Sequence, residues 1–334
     1  MGRLRVGVIG LGVGEKHAEA LAANTDCELV ALCDHDAEKL AQVAPRFPGA
    51  RAVEKDVEVL DDPTIDLICI ASYDDVHFTQ TMRALDHGKH VFVEKPFVVH
   101  EHEARAIRKQ LEKHKNLRLS SNLILRRSPR FLDLRRRIER GEFGRLYHLE
   151  AGYNYGRLDK ITKGWRGRLD FYSAVHGGGV HVADLLMWLA GDRIVEVSAI
   201  GNAIASAGSD FKNFDNVVAV VRFANGAVGK IGVNFGSVMP HFHPVEIYGT
   251  NATFINGREC AWLYTARDPQ VPPVRLETEY PGVHKGDLIA SFVNSILGRG
   301  PADVSEEDVF ASLSVCCAIE RSAHAGAPVT VEYV

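Results

Sequence analysis

The chain has 334 residues, room for two domains with separate cores. Hydrophobic residues make up 46% and charged residues 25%, the balance of a soluble globular protein and not of a disordered or fibrous one. A formal net charge of −4 gives no polyanion-binding signal, which argues against a nucleic-acid partner.

The first third alternates two periods. Residues 5–10 form a short apolar run ending in glycine, followed by helical spacing over 15–23. Apolar strands are then expected at 28–33, 66–72 and 90–93, with helices at 36–46 and 77–87 between them. Continuous apolar strands separated by helices indicate a parallel sheet covered on both faces, a doubly wound α/β domain of Rossmann type. It is taken to occupy residues 1–120.

After residue 120 the character changes. Longer strands with alternating polarity are expected at 147–155, 195–204, 217–223, 229–235 and 245–248. Asn225-Gly226 between two of them is a hairpin signal. Helices are expected at 179–190, 285–297 and 306–325. Residues 121–334 thus read as an α+β domain with a large, mostly antiparallel open sheet, tightly docked to the first for want of any flexible linker.

No apolar stretch approaches the roughly 20 residues of a spanning helix. The apolar start (Val6, Val8, Ile9) is broken by glycines and lacks a small-residue cleavage site, so neither membrane anchor nor secretory leader is expected. Six cysteines (Cys27, Cys33, Cys69, Cys260, Cys316, Cys317) show neither CxxC nor His-paired spacing. Buried thiols in a reducing cytoplasm are expected, with no metal site.

Gly10, Gly12, Val13 and Gly14 lie between the first strand and the first helix. Glycines there let the backbone turn sharply and approach a pyrophosphate seated on the helix N-terminus. Asp34 ends the second strand twenty residues after Gly14, where an acid accepts from adenosine ribose hydroxyls. A carboxylate also repels a 2′-phosphate, which favours NAD, although NADP stays open because a partly protonated His35 follows. GxGxxG needs glycine at position 15, where Glu15 stands, so the loop is expected to be one residue short and Glu15 to point away from the phosphates.

The fourth strand runs into Val93-Glu94-Lys95-Pro96 after the lead-in Gly88-Lys89-His90-Val91. With the glycine loop, Arg126 and Pro129, Trp165-Arg166, Gly177-Gly178-Gly179, His181 with Asp184, Phe223-Ala224-Asn225-Gly226 and the closing Ala318-Ile319-Glu320-Arg321-Ser322 before Pro328-Val329, the chain closely resembles the Gfo/Idh/MocA oxidoreductases over nearly its whole length. The resemblance implies a nicotinamide near Lys95, in the cleft between the domains. It implies that Lys95 contacts the reacting hydroxyl or carbonyl, that His181 shuttles the proton, and that subunits pair as a homodimer or homotetramer. Elementary chemistry supports those two roles: an alcohol losing hydride must also lose a proton, and histidine titrates near neutrality. Asp184, three residues on, either orients the imidazole or caps the helix.

Two departures stand out. Inositol dehydrogenase-like relatives carry an aspartate four residues before the histidine, where this chain has Gly177. Either it is dispensable, or Asp170, Tyr172 or His176 replaces it, or the chemistry differs. After the third strand, relatives often have Thr-Pro or Asn-Pro where this chain has Ser72-Tyr73. Ser72 and Tyr73 are still expected to border the cofactor with Glu94 and Lys95. His77 is equally a cap, a packing residue or a cofactor contact. For the substrate, Lys95, Asn122, Tyr153, Tyr155, Trp165, Arg166, His176 and His181 are the candidates, because rings stack on sugar C–H faces while amide, guanidinium and imidazole groups match hydroxyls. The basic run from Arg126 to Arg137 reads as a solvated helix face, with a nucleotide-sugar diphosphate site as the alternative. The expected activity is hydride exchange between NAD(P) and a secondary alcohol or ketone of a sugar, sugar derivative or cyclitol. An NAD-dependent glycosidase and a non-enzymatic sugar-responsive regulator are the alternatives.

Overall fold

The computed structural model describes residues 2–169 and 171–334. The chain forms two compact units. The first takes the chain up to Ile124 together with His284–Phe310 and Val334; the second takes Leu125–Val283 and Ala311–Tyr333. A single cut does not convey that segment 284–310 returns to the first unit.

In the first unit, β1 (Leu4–Ile9), β2 (Cys27–Cys33), β3 (Arg51–Val53), β4 (Leu67–Ile70), β5 (His90–Val93) and β6 (Leu119–Ser121) form one sheet in the order β3-β2-β1-β4-β5-β6. Every pairing in it is parallel. All four residues of β4 are buried, which is why its sequence is a continuous apolar run without alternation. Val6, Val8 and Ile9 of β1 are likewise buried, each burial stabilising by roughly 1.5–3 kcal/mol. The strand order reverses direction between β1 and β4, and in such sheets ligands bind outside the carboxyl ends at that switch point.

The returning segment completes this core. Phe292, on the helix Ile289–Ile296, packs its ring 5.7 Å from that of Phe92, and Ser120 Oγ donates to the carbonyl of Val304 at 2.9 Å. The helix starts four residues later than its periodicity predicts. Gly286, at φ 99° and crowded against Ala20, holds a turn that a regular helix does not allow.

The second unit is built on nine strands: β7 (Leu146–Asn154), β8 (Ile194–Asn202), β9 (Asn216–Phe223), β10 (Val228–Asn234), β11 (Val245–Gly249), β12 (Thr253–Asn256), β13 (Ala261–Tyr264), β14 (Val274–Leu276) and β15 (Val329–Thr330). Their order is β14-β13-β12-β11-β7-β10-β9-β8-β15, antiparallel except where β7 lies parallel to β10. In β9, Val217, Ala219, Val221 and Phe223 face inward while Val218, Val220 and Arg222 face out, the period-2 pattern of a one-sided sheet. The Asn225-Gly226 turn is formed as expected, with Gly226 at φ 90° and Asn225 Oδ1 accepting from the Ala227 amide. All six cysteines are buried, and burial pushes the Cys33 thiol up to about 12. No helix among the described residues is long and apolar enough to cross a membrane.

Candidate active site

The first unit's candidate residues all follow carboxyl ends of its parallel strands. Gly10 follows β1, at φ 84°; a Cβ there would lie 2.5 Å from the Ala71 carbonyl carbon and oxygen, so only glycine lets β1 and β4 end this close. Gly12 faces open space, with nothing within 4 Å of a Cβ built on it. A backbone bare on that side is what a diphosphate needs to approach. Gly14 opens the helix Gly14–Ala23 and sits against Ala71 Cβ and Val8 Cγ1, so it serves helix–sheet packing. Glu15 turns away to Lys39 and Arg46, with a 2.8 Å contact to Lys39 Nζ, and Lys39 leads in holding its carboxyl below the usual range.

Asp34 follows β2. Its Oδ2 accepts from the Leu11 amide at 2.7 Å and its Oδ1 from the Asp36 amide at 2.9 Å, so the carboxylate is fixed before any ligand arrives. Each oxygen keeps a second lone pair for a ribose hydroxyl. Beside it opens a cavity of about 910 Å³ lined by Gly10, Gly12, Asp34, His35, Ser72 and Tyr73 among others. The exposed rings of His35 and Tyr73 meet edge to face at 5.6 Å. Ser72 Oγ donates to Gln80 Oε1, and Gln80 Nε2 donates to Asp56 Oδ2. Asp36, Lys39, Glu54, Lys55 and Asp56 also line the cavity and were missed in the sequence, where loop charges read as solvated. The bare Gly12 backbone, the fixed acid and the cavity beside them fit a dinucleotide.

Lys95 follows β5 and is half-buried. The residues around it form its support. Glu94 Oε1 accepts from His17 Nε2 at 2.9 Å and from Asn122 Nδ2 at 2.7 Å, its Oε2 accepts from the Lys95 amide at 3.2 Å, and Lys285 Nζ stands 4.0 Å away. Burial alone would raise the Glu94 carboxyl; Lys285, His17 and Lys95 outweigh it and hold it well below the usual range. Glu94 and Asn122 are 7% and 0% exposed, and both sit behind Lys95 as bracing. His77 is fully buried, with Nδ1 2.8 Å from the Pro96 carbonyl and Nε2 3.3 Å from that of Ser72. Of the roles open to His77, packing is the one these contacts show: it ties the ends of β4 and β5.

In the second unit, one π-helical turn, Val175–Gly179, leads into the helix Val180–Ala190. A Cβ at Gly178 would lie 2.5 Å from the Tyr153 ring and one at Gly179 2.7 Å from Val233 Cγ2, so the glycine run lets this turn press onto the sheet. His181, in the first helical turn, stacks on Tyr153 at 6.0 Å and 15°. Tyr153 also meets Tyr155 at 5.5 Å, Phe235 at 5.8 Å, His241 at 4.7 Å and His243 at 5.3 Å. Phe235, His241 and His243 were not singled out in the sequence, because 241–243 falls between strands with no pattern of its own. Arg166, half-buried, lays its guanidinium 4.4 Å from the Trp165 ring centroid. His176 is buried against the helix Glu306–Ala325, with Nε2 3.5 Å from Cys317 Sγ.

Asp184 does not cap the helix, whose N-cap is Gly179 with no side-chain bond. Its carboxylate takes Arg126 in a buried bidentate pair at 2.9 and 2.6 Å. Three more of the basic run are committed within the fold: Arg130 to Asn256 and Gly257, Arg135 to Glu139, Arg137 to Asp133 and Glu142. Asp170 lies outside the described residues.

A family model described as the oxidoreductase family with an NAD-binding Rossmann fold matches residues 4–122, and the GFO/IDH/MocA C-terminal domain matches 131–255. The chain belongs to the Gfo/Idh/MocA oxidoreductases. Among curated relatives, the scyllo-inositol 2-dehydrogenase (NAD(+)) of Bacillus subtilis is 26% identical over 264 residues, 76% of this chain and 74% of that one. The 1,5-anhydro-D-fructose reductase of Ensifer adhaerens is 26% identical over 92% of both chains. The fold is that of the NAD binding oxidoreductase from Klebsiella pneumoniae, with a TM-score of 0.86 over 100% of each chain at 23% identity. This Gfo/Idh/MocA member is an NAD(P)-dependent oxidoreductase whose Rossmann unit binds NAD.

Proposed function

We propose that this enzyme oxidises, or in reverse regenerates, one secondary hydroxyl on the ring of a sugar, sugar derivative or cyclitol. The observation that carries the reading is a cluster of rings in the second unit, where exposed His241 and half-buried Tyr155 lead inward to buried Tyr153, Phe235 and His181 through centroid distances of 4.7–6.0 Å. Flat rings stack on the C–H faces of a polyol ring, while phenol and imidazole edges exchange hydrogen bonds with its hydroxyls. The names of the two curated relatives, acting on an inositol and an anhydrofructose, support the same class.

In this reading the glycine loop and Asp34 hold NAD, which when bound exchanges hydride with the substrate carbon. The Lys95 ammonium polarises the reacting oxygen, held in place through its amide by Glu94. His181 takes the hydroxyl proton during oxidation and returns it during reduction. Tyr155, Trp165 and Arg166 contact the remainder of the sugar; Asn122 and His176 act from behind. The test is a panel of inositols, anhydrosugars and hexoses with NAD, and the matching ketones with NADH, followed at the reduced-nicotinamide absorbance. Turnover of at least one ring polyol is expected. Silence across the panel, or cleavage of an aryl glycoside with no net change in NADH, would sink the reading.

A further inference from the structure

Gly177 stands one turn before His181, and the space its side chain would need is already filled. A Cβ built there meets Tyr172 Oη at 2.1 Å and Tyr172 Cζ at 2.8 Å. Tyr172 is 4% exposed, and its ring sits edge-on to Phe211 at 6.2 Å and Phe235 at 6.4 Å. Those neighbours fix the phenol, so its hydroxyl is delivered to this turn by the fold. Helical side chains lean back over the residues three and four before them. The His181 imidazole therefore overlies the Gly177–Gly178 turn, in keeping with its stacking on the Tyr153 ring, which lies directly against Gly178.

We propose that the Tyr172 hydroxyl is the positioning group of His181, occupying the place where a carboxylate on residue 177 would otherwise stand. The inference rests on His181 as the proton-exchanging group. A phenol oxygen accepts from an imidazole N–H while keeping its own proton, so it holds the ring without adding negative charge. It stabilises the imidazolium less than a carboxylate does, leaving His181 a weaker base. The other charged and titratable groups around this turn include Tyr153 on β7 and Tyr155 just after it, His241 and His243 after β10, and Arg166, whose guanidinium lies 5.8 Å from the Tyr172 ring centroid; from the helix Glu306–Ala325 come Cys316 at the Val175 carbonyl, Cys317 at His176 Nε2 and Glu320, reached through Ser173. Asp184, one turn further along the helix, is neutralised by Arg126. A carboxylate at 177 and a tyrosine at 172 exclude one another sterically, which makes the two arrangements alternatives.

Histidine-labelled full-length protein, with the His181 signal assigned through His181→Gln, reports the imidazole directly by NMR titration. In Tyr172→Phe, which removes only the hydroxyl, the His181 midpoint should move to lower pH by roughly half a unit or more, the size of one hydrogen bond to the charged form. The kcat/KM on a turned-over polyol should fall about tenfold with KM little changed. Gly177→Asp alone should lose activity through collision with Oη. Combined with Tyr172→Ala it should regain activity, with a His181 midpoint above that of the wild type. An unmoved midpoint in Tyr172→Phe, or a swap variant whose midpoint stays at or below the wild type, overturns the proposal. A wild type inactive on every polyol overturns the proposed function instead, and the NMR midpoints still decide the role of Tyr172.

Discussion

Glu94 Oε1 and His17 Nε2 lie 2.9 Å apart inside the coenzyme-binding unit, with the imidazole fully buried. This carboxylate also gathers Asn122, the Lys95 amide and Lys285, so it anchors Lys95 from below. Its pKa in the fold is depressed from the usual 4.5. The stabilisation it gives is therefore present above about pH 4.5 and lost as pH falls through the depressed value. Glu94→Gln should cost about 3 kcal/mol at pH 7, since it leaves cations facing a neutral group. Urea unfolding at pH 7 and at pH 4 should show the gap from wild type narrowing in acid. A gap that ignores pH would remove the charge from the explanation.

Asp34 braces the glycine loop through Leu11 and faces the cavity with lone pairs to spare. Asp34→Ala should weaken NAD about tenfold and NADP by less, because the repulsion of a 2′-phosphate goes with the carboxylate. Titration of both coenzymes against the variant checks this. If the ratio of the two dissociation constants stays put, Asp34 does not read the ribose.

Lys95→Ala should keep NAD affinity within a few-fold while kcat/KM falls by about 10²–10⁴. Arginine is not expected to rescue it, since a planar fork differs from a compact ammonium in reach and shape. Normal turnover in the alanine variant would take Lys95 out of the chemistry.

Gly10 and Gly12 make a matched pair. Gly10→Ala places a methyl within 2.5 Å of the Ala71 backbone at a positive φ, so both thermal stability and coenzyme binding should drop. Gly12→Ala meets nothing in the protein, so the melting temperature should hold while NAD binding weakens. Scanning calorimetry with and without NAD separates the two, and equal melting shifts would contradict the assignment of Gly12 to the phosphates.

His243 is driven down to about 3, first by burial and then by His241. Between the unfolded value near 6.5 and that figure, the unfolded chain binds a proton that the fold refuses. Stability should therefore decline on acidification across that window by about 1.4 kcal/mol per pH unit from this one group. His243→Gln should flatten the slope of unfolding free energy against pH. A slope identical to wild type would show that His243 is not a source of the acid sensitivity.

What the sequence made legible was local. The glycine loop, Asp34 and the Glu94-Lys95-Pro96 run each declare themselves within a few residues, because strand ends and tight turns demand particular side chains nearby. The strands flanking Asn225-Gly226 were readable for the same reason, whereas β3 was not: it has three residues, largely exposed, and no apolar run. Contacts made over distance were hidden. His17 meets Glu94 across 77 positions, and Asp184, which two local roles suited equally, is claimed by Arg126 58 positions away. His77 opens a helix at a strand end, a place that suits a cap, a packing residue or a cofactor contact equally, and only its burial between two backbone carbonyls shows the packing task.

The return of residues 284–310 has a bearing on how this protein is made. A nascent chain stopped short of His284 carries all six parallel strands, but lacks the Phe292 ring against Phe92, the Val304 carbonyl for Ser120 and the ammonium that balances Glu94. The unit that begins first on the ribosome thus closes late, after everything from 125 to 283 has emerged. Coenzyme captured by the growing polypeptide before then would meet a half-finished Lys95 support, so full affinity waits for His284–Phe310 to emerge.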